Sequence, residues 1–521
     1  MASGKILTLL VIATLLALIG AWIVARTYRK RMQGLMQAPL AASAPGDVVV
    51  TGRPPARPAP PTNWRLEDNQ KAHHRLLWTF AALTLPISLT RTVLTQIMAD
   101  GPLSITIIAA LGTAYAWPIL PVLAVIGRWS RPRFILAMLI WCAFAIVLLS
   151  WRTNENVSVS MVTTWVLFDT AMPLFVVTAI CLGGATRAIS PWLAPLLAVF
   201  IGSSILGLDF LQTLFDTQSP LVGWLVQWFS PVSAMTLFAI LPWLIVWWPV
   251  RALGRWLGQA YRERRISELF YLYTAVWAIA VAGPTLGDID GSGWKSLINL
   301  LPLLWIPLGA WLMKRHVIPS MSNSPPTLLV LRVFKQDANV QAIFDRVIER
   351  WRLSGNTVLI AGTDLAYRTI DADDVFTFLD GRLGERFVAR PSDIDARIAQ
   401  MEFQPDTEGR YRINECYCHD TTWQQALDRL VGISDVVLMD LRNFKAKNAG
   451  CVHELGVLSK APNLARVVIL TNPDTEREAA QAAAAGAPDG RFVWLDESSR
   501  NSLKPADVLA ALFPTATAAT R

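Results

Sequence analysis

The chain has 521 residues, of which 53% are hydrophobic and only 17% are charged. This composition excludes an ordinary soluble protein, in which about 25% of residues are charged, and the length predicts more than one domain. Five irregularly spaced cysteines exclude a disulfide scaffold, and many basic residues behind the net charge of +8 lie in loops between apolar runs, so nucleic acid is not an expected partner.

The first apolar run, residues 6–24, predicts a membrane anchor. A cleaved signal peptide is the alternative, but its basic residues would precede the apolar run, whereas here the cluster from Arg26 to Arg31 follows it. We therefore expect residues 1–31 to form a retained anchor with the N-terminus outside. Residues 32–75 are rich in alanine and proline, which favours an extended cytoplasmic linker.

Residues 76–315 are predicted to form a helical membrane domain of eight further spans. The apolar runs lie at 76–96, 103–126, 134–150, 160–182, 191–208, 232–249, 267–284 and 296–313, each near the ~20 residues that cross a bilayer. Basic residues concentrate in alternate loops, which places residues 314–521 in the cytoplasm by the positive-inside rule. The sequence thus predicts a multi-pass protein of a bacterial-type inner (plasma) membrane. Whether residues 208–231 contain a re-entrant segment stays open.

Few ionisable groups lie inside the predicted spans. Asp169 lies in the middle of one span and Arg91 near the end of another. We expect Asp169 to pair with Arg187 or Arg91 across the helices. Because no series of acidic groups accompanies Asp169, a structural pair is favoured over a transport site.

After a second linker, 316–326, residues 327–514 are typical of an α/β domain. The predicted strands are 328–334, 358–361, 411–416, 436–439, 467–470 and 492–495, and the predicted helices are 340–351, 372–381, 423–431, 451–459, 479–484 and 506–513. Alternation of strands and helices predicts a parallel sheet with helices on both faces. Residues 382–409 yield no clear element, and residues 515–521 are expected to be a disordered tail.

The segment 434–456, SDVVLMDLRNFKAKNAGCVHELG, carries the clearest chemistry. Asp440 ends a predicted strand, and Glu454 lies on what we expect to be the first turn of the next helix. In a parallel sheet, ligands bind where loops leave the carboxyl ends of the strands. The two carboxylates are therefore candidates for one site. A carboxylate in the first turn of a helix is also explained by the helix dipole alone, and Asp440 by a role in the turn.

The order LRVFKQD, IAGTD and SDVVLMDLRNF followed by GCVHELG resembles the Toll/interleukin-1 receptor (TIR) and nucleoside 2-deoxyribosyltransferase-like superfamily. The resemblance covers about 327–475 and implies a flavodoxin/TIR-like fold. Members cleave N-glycosidic bonds of nucleosides, nucleotides or NAD, and others act only by protein association. It implies that Glu454 acts beside the ribose carbon as nucleophile or charge stabiliser, and that Asp440 holds ribose hydroxyls.

The resemblance also implies a set of substrate-binding residues. These are Gly362, Thr363 and Asp364 on the opposite wall, Arg442 for phosphates, and Gly450, which would let the backbone approach the ligand. NAD or another nucleotide is then a substrate, and no cofactor is expected. No metal is expected either, because Cys416, Cys418 and His419 lack the spacing of a zinc site.

Three hypotheses follow from the sequence, and whether the protein is an enzyme stays open among them. The first is a membrane-anchored cytoplasmic domain that binds and cleaves a nucleotide in signalling or defence, with self-association of that domain. The second is a non-catalytic nucleotide-binding or protein-interaction module on the same anchor. The third is a transporter or channel regulated by a cytoplasmic ligand.

Overall fold

The computed structural model describes the following parts of the chain: 2–37, 64–101, 103–152, 158–166, 184–287, 293–317, 325–332, 346–361, 372–379, 381–419, 421–497 and 503–514. They form two compact units. The helical unit comprises Met1–Tyr28, Thr79–Leu312 and Ile370–Asp380. The α/β unit comprises Arg29–Trp78, Met313–Thr369 and Gly381–Arg521.

Apolar helices of eight to 36 residues precede the sheet. They are Ala2–Gln37, Leu66–Met98, Ile105–Tyr115, Ile119–Ile126, Arg131–Arg152, Val159–Val166, Gly184–Asp216, Pro220–Trp228, Pro231–Arg262, Glu268–Gly287 and Trp305–Leu312, with a 3₁₀-helix at Gly293–Leu304 and a π-helix at Met313–Val317. In the part of the chain that the structure describes, six helical segments are long and apolar enough to cross a membrane. A bent pair makes a seventh if it counts as one span. The structure therefore supports a multi-pass membrane protein.

Several predicted spans differ in detail. The run 103–126 forms two helices, Ile105–Tyr115 and Ile119–Ile126, bent by 47°. The turn between them contains Pro118, which lacks an N–H to continue the helical hydrogen bonds. The next-to-last run, predicted at 267–284, forms the helix Glu268–Gly287. In the uncertain region 208–231, the helix Pro220–Trp228 has nine residues, too few to span a bilayer.

The predicted intramembrane pair falls largely outside the described residues. Asp169, the side chain of Arg187 and most of the run 160–182 lie outside the described residues. Arg91 is buried, and its guanidinium carbon lies 3.9 Å from the centre of the Tyr115 ring. This cation–π contact gives the charge a favourable setting on a membrane helix.

The α/β unit contains a seven-stranded sheet. Its strands are β1 Thr327–Arg332, β2 Asn356–Ala361, β3 Phe387–Val388, β4 Ile413–Cys418, β5 Val436–Asp440, β6 Arg466–Thr471 and β7 Phe492–Asp496. Every pairing is parallel, in the order β3-β4-β2-β1-β5-β6-β7. The predicted parallel sheet is confirmed. Strand β5 is buried along its whole length, as its continuous apolar run indicates.

Helices cover both faces of this sheet. They are the segments 346–351, Asp393–Ala399, Trp423–Gly432, Ala449–Lys460, Arg477–Ala483 and Pro505–Ala511, with a 3₁₀ turn at Leu383–Arg386. On one face, Val437 and Met439 of β5 join a core with the helices Trp423–Gly432 and Ala449–Lys460. Elsewhere Trp351 packs against Phe513, with ring centroids 5.4 Å apart.

The strand order has one reversal, between β1 and β5. From β1 the chain moves outward to β2 and then to the edge strand β3, and it returns inward to β4. It then crosses to the other side of β1, where β5, β6 and β7 extend the sheet. Such a reversal is the switch point at which doubly wound sheets open a crevice for ligands. The carboxyl ends of β1 and β5 therefore flank the switch point of this sheet.

The region 382–409, for which the sequence yields no element, holds β3 and the helix Asp393–Ala399. Buried charges follow it instead of an apolar pattern. Arg412 bridges Glu402 and Asp406 at 2.8 Å each, and Arg410 lies 3.3 Å from Glu349. These contacts join charged side chains, and Arg410 and Glu349 are 61 residues apart in the chain, so hydrophobic periodicity does not indicate them.

The helix expected at 372–381 forms at Ala372–Leu379. We expected it within the α/β domain, but it belongs to the helical unit. Its apolar side chains pack on the helices Gly184–Asp216 and Pro231–Arg262 instead of on the sheet. An amphipathic helix carries the same pattern in both settings, so the sequence does not separate them.

Candidate functional site at the carboxyl edge of the sheet

The loop from β5 to the helix Ala449–Lys460 is the described loop at the switch point of the sheet. It is continuous from Leu441 to Asn448, whereas residues 333–345, which follow β1, lie outside the described residues. Gly362, Thr363 and Asp364, predicted for the opposite wall, also lie outside them. The described part of this edge of the sheet therefore consists of the carboxyl ends of β4, β5, β6 and β7.

Asp440 forms a buried two-pronged ion pair with Arg442. The Arg442 Nε donates to Asp440 Oδ1 at 2.9 Å, and Nη2 donates to Oδ2 at 2.8 Å. The Arg442 backbone N–H also donates to Oδ1 at 3.1 Å, and Nη1 reaches Glu497 Oε2 at 3.0 Å. Burial lowers the pKa of Arg442, but hydrogen bonds and charges from Asp440 and Glu497 outweigh it and raise that pKa overall. Asp440 thus already holds the loop in place, whatever else it contacts.

The neighbouring loop after β6 fixes the same segment. Asn443 has a φ of 64°, in the left-handed region where asparagine is tolerated better than most residues. Its backbone N–H donates to Asn472 Oδ1 at 2.8 Å, and the Asn472 Nδ2 donates to Asn443 Oδ1 at 3.2 Å. Thr475 Oγ1 donates to the Leu441 carbonyl at 3.0 Å. The β5 loop is therefore held in one conformation before any ligand binds.

Glu454 lies on the helix Ala449–Lys460, which we call the Glu454 helix. It is the sixth residue of this helix, in the second turn, so the prediction that it lies in the first turn is wrong. The helix starts two residues before the predicted start. Because the dipole effect falls off after the first turn, it does not account for a glutamate at this place.

One of the two carboxyl oxygens of Glu454 is buried without compensation in the described structure. Its Oε2 is fully buried and makes no hydrogen bond to any described residue. Burial raises the pKa of Glu454 to about 8. A buried carboxyl without a partner costs folding free energy, and such groups concentrate at functional sites. Glu454 is therefore the strongest candidate for a chemical role in the described α/β unit.

An aromatic residue absent from our predicted site lies beside the start of the Glu454 helix. The ring of Trp423 is edge-to-face with His453, with centroids 5.7 Å apart. A Cβ placed on Gly450 would lie 3.8 Å from the same ring, which is an ordinary contact. Gly450 is thus not required by space alone, and its predicted closeness to a ligand stays a prediction. Trp423 begins the helix after β4, so chain order alone does not reveal this contact.

The end of β4 supplies a second buried polar group. His419 Nδ1 is buried and has no hydrogen-bond partner in the described part of the chain. Its ring lies 5.5 Å from that of Phe387. The thiols of Cys416 and Cys418 are 3.7 Å apart and lie within the core. Among described residues, no group of three histidine, cysteine or acidic side chains could hold a metal ion.

The two predicted carboxylates lie at the same edge of the sheet without meeting. Val437 and Met439 face the core under the Glu454 helix, so Asp440, the next residue after Met439, points to the opposite face by the alternation of a strand. No hydrogen bond joins Asp440 and Glu454, both of which are described. The structure thus separates a structural ion pair from an uncompensated acid.

The raised pKa of Glu454 predicts a pH-dependent stability. The unfolded carboxyl titrates near pH 4.3, whereas the folded one titrates near pH 8, so the folded state binds more protons between these values. Stability contributed by the protonated group is fully present below pH 4.3 and is lost as the pH rises to about 8. We expect Glu454→Gln to exceed the wild type at pH 8.5 by about 2–4 kcal/mol and to match it at pH 4.5. Unfolding of the full chain in detergent at both pH values tests this, and equal stability at pH 8.5 would contradict it.

Comparisons of the chain with protein-family models, with curated proteins and with solved structures found no match.

Proposed function

We propose that the α/β unit binds a nucleotide or nucleoside at the carboxyl ends of β1 and β5 and cleaves its N-glycosidic bond with Glu454. The observation that carries this proposal is the buried Glu454 Oε2, which has no hydrogen-bond partner in the described residues. It lies on the helix that leaves the switch point, where doubly wound sheets bind ligands. The resemblance of residues 434–456 to the TIR and deoxyribosyltransferase-like superfamily supplies the reaction class.

The chemistry suits a carboxyl group of this kind. When the C1′–N bond breaks, its electron pair leaves with the base and positive charge develops on the ribose. An ionised Glu454 stabilises that charge or attacks C1′, and water then completes hydrolysis. A cationic substrate such as NAD lowers the pKa of a nearby carboxyl. Binding of the pyridinium ring would therefore generate the carboxylate that the reaction uses.

The other proposed contacts follow from what is exposed. Arg442 is buried and bonded to Asp440 and Glu497, so it is a poor phosphate ligand in this conformation. Lys447 on the same loop is exposed and is the better choice for a phosphate. Trp423 supplies an apolar face near the start of the Glu454 helix.

The flavodoxin/TIR-like assignment is part of the same proposal. Strands β2-β1-β5-β6-β7 follow the flavodoxin order 2-1-3-4-5, with β4 and β3 added beyond β2. With β4 counted as the third strand, the order is instead 3-2-1-4-5-6. The bias of basic residues toward alternate loops supports an α/β unit on the cytoplasmic side of an inner membrane, with the N-terminus outside. The bilayer, a nucleotide and a second copy of the α/β unit are the proposed partners.

A non-catalytic binding module is the second candidate. It is favoured by the ion pair between Asp440 and Arg442, which leaves one of the two expected carboxylates already engaged. Such a module would keep the crevice and bind a nucleotide without turnover. Ligand binding without product would identify it.

The proposal is tested with the full-length protein in detergent, incubated with NAD and with common nucleosides. Free base is separated by chromatography and quantified over time. We expect base release from at least one of these compounds, in proportion to protein concentration. Binding of a compound without base release would favour the binding module, and neither binding nor release at high protein concentration would overturn both candidates.

A further inference from the structure

The connection between β2 and β3 leaves the α/β unit. Strand β2 ends at Ala361 and β3 begins at Phe387, and both belong to the sheet. Between them, Ile370–Asp380 belongs to the helical unit. The helix Ala372–Leu379 within this segment is called the connecting helix below.

The connecting helix is held by aromatic packing inside the helical unit. Phe376 is 6% exposed and shares a core cluster with Trp192, Leu257 and Tyr261. Its ring centroid lies 5.5 Å from that of Trp192, in an edge-to-face arrangement. Trp192 is in turn stacked on Tyr271, with centroids 3.9 Å apart and ring planes within 8°. Phe376 thus occupies a socket formed by three helices of the helical unit.

A glycine shapes the floor of this socket. A Cβ on Gly258 would lie 3.1 Å from Cγ and 3.4 Å from Cβ of Phe376, tighter than ordinary packing. About one turn earlier on the same helix, a Cβ on Gly254 would lie 3.8 Å from Leu196 Cδ1 and meet nothing closer. Gly258 therefore leaves room for the Phe376 ring, whereas Gly254 offers a matched position away from it.

We propose that the connecting helix is the regulatory connection through which the helical unit controls the ligand site. This inference rests on the proposed function for the identity of the ligand. Strand β2 pairs with β1, and β1 flanks the switch point together with β5. A rearrangement of the helices that form the socket is therefore expected to act, through the connecting helix, first on β2. Because β2 pairs with β1, the effect then reaches the switch point.

The attachment consists of one helix of eight residues. Val375, Phe376 and Thr377 are buried, whereas Leu379 is 50% exposed. Coupling requires an element with two arrangements that both sites bias. Phe376 in its socket and Phe378, whose ring centroid lies 5.6 Å from that of Tyr28, define the docked arrangement, and in the released arrangement that we infer these aromatic contacts are broken.

A disulfide can hold the docked arrangement. The Cβ separation of 3.4 Å between positions 258 and 376 is close to the ~3.5–4.5 Å of a disulfide. We would make Gly258→Cys/Phe376→Cys, with Gly254→Cys/Phe376→Cys as the control pair. After oxidation and cleavage at a protease site inserted at 318–324, the fragments should stay joined in the first pair only. Equal cross-linking in the two pairs would overturn the docked geometry.

The coupling is then read in the full-length cross-linked protein. Oxidised and reduced forms are compared in hydrogen exchange of β2 and β3 and in base release from NAD. We expect slower exchange in the oxidised form and a difference of at least about 5-fold in the rate of base release. If base release is absent from every form while exchange still differs, the proposed function fails and the connection stands. If both readouts are equal in the two forms, the connection is overturned.

Discussion

Glutamine in place of Glu454 is expected to lower the rate of base release by about 10²–10⁴-fold, the range typical of a group that acts on protons or charge in the transition state. Ligand affinity should stay within a few-fold, because glutamine keeps the shape of the side chain. Both quantities are measured on the full-length protein, by product analysis and by equilibrium binding. The two measurements separate loss of chemistry from loss of binding.

The control for this variant is Glu478→Gln. Glu478 is exposed on the helix Arg477–Ala483, so its change removes a carboxylate without touching the crevice. Its rate should equal that of the wild type. Undiminished base release from Glu454→Gln would exclude Glu454 from the reaction and would transfer attention to His419, whose buried Nδ1 at the end of β4 also has no described partner.

Methionine in place of Arg442 is expected to destabilise the α/β unit by about 3–5 kcal/mol. The reason is that Asp440, whose side chain is 4% exposed, would stay buried without its guanidinium partner, and Glu497 would lose the same contact. Thermal unfolding of the full chain, followed by hydrogen exchange of β5, measures the change. Removal of the charge from Asp440 as well, in Arg442→Met/Asp440→Asn, should restore part of the loss.

A second arginine at the same edge of the sheet serves as the control. Arg477 lies 2.7 Å from Asp496, but both side chains are about half exposed. Exposed pairs contribute about 0–1 kcal/mol, so Arg477→Met should change stability little. If the two variants lose the same stability, the buried ion pair does not hold the β5 loop.

Six of the seven strands of the α/β unit follow from the sequence, and β3 does not. Runs such as Val436–Asp440 are apolar and β-branched enough to indicate buried strands, and the structure extends most of them by one or two residues. Their order in the sheet does not follow, because β2 pairs with β1 and β4 through contacts far apart in the chain. The placement of the connecting helix failed for the same reason. Its pattern of apolar residues is compatible with packing on a sheet and with packing on the helices of the helical unit.

The candidate site was predicted in part. The sequence predicted Asp440 at the end of a strand and Glu454 on the helix that follows, and the structure places them so, at the end of β5 and on the Glu454 helix. The burial of Glu454 depends on packing of the Glu454 helix against elements elsewhere in the chain. One of these is the helix Trp423–Gly432, which precedes β5. Local spacing does not encode that burial. The ion pair of Asp440 is a more local feature, because its partner Arg442 lies two residues later in the chain.

The most direct test is the protonation state of Glu454 in the full-length protein. Infrared difference spectra between wild type and Glu454→Gln, recorded from pH 5 to pH 10, isolate the carboxyl band of this one residue. We expect a protonated carboxyl at pH 7 that titrates near pH 8 and loses its proton when NAD binds. A carboxylate band already present at pH 6 and unchanged by NAD would contradict the assignment of Glu454 as the buried acid of a ligand site.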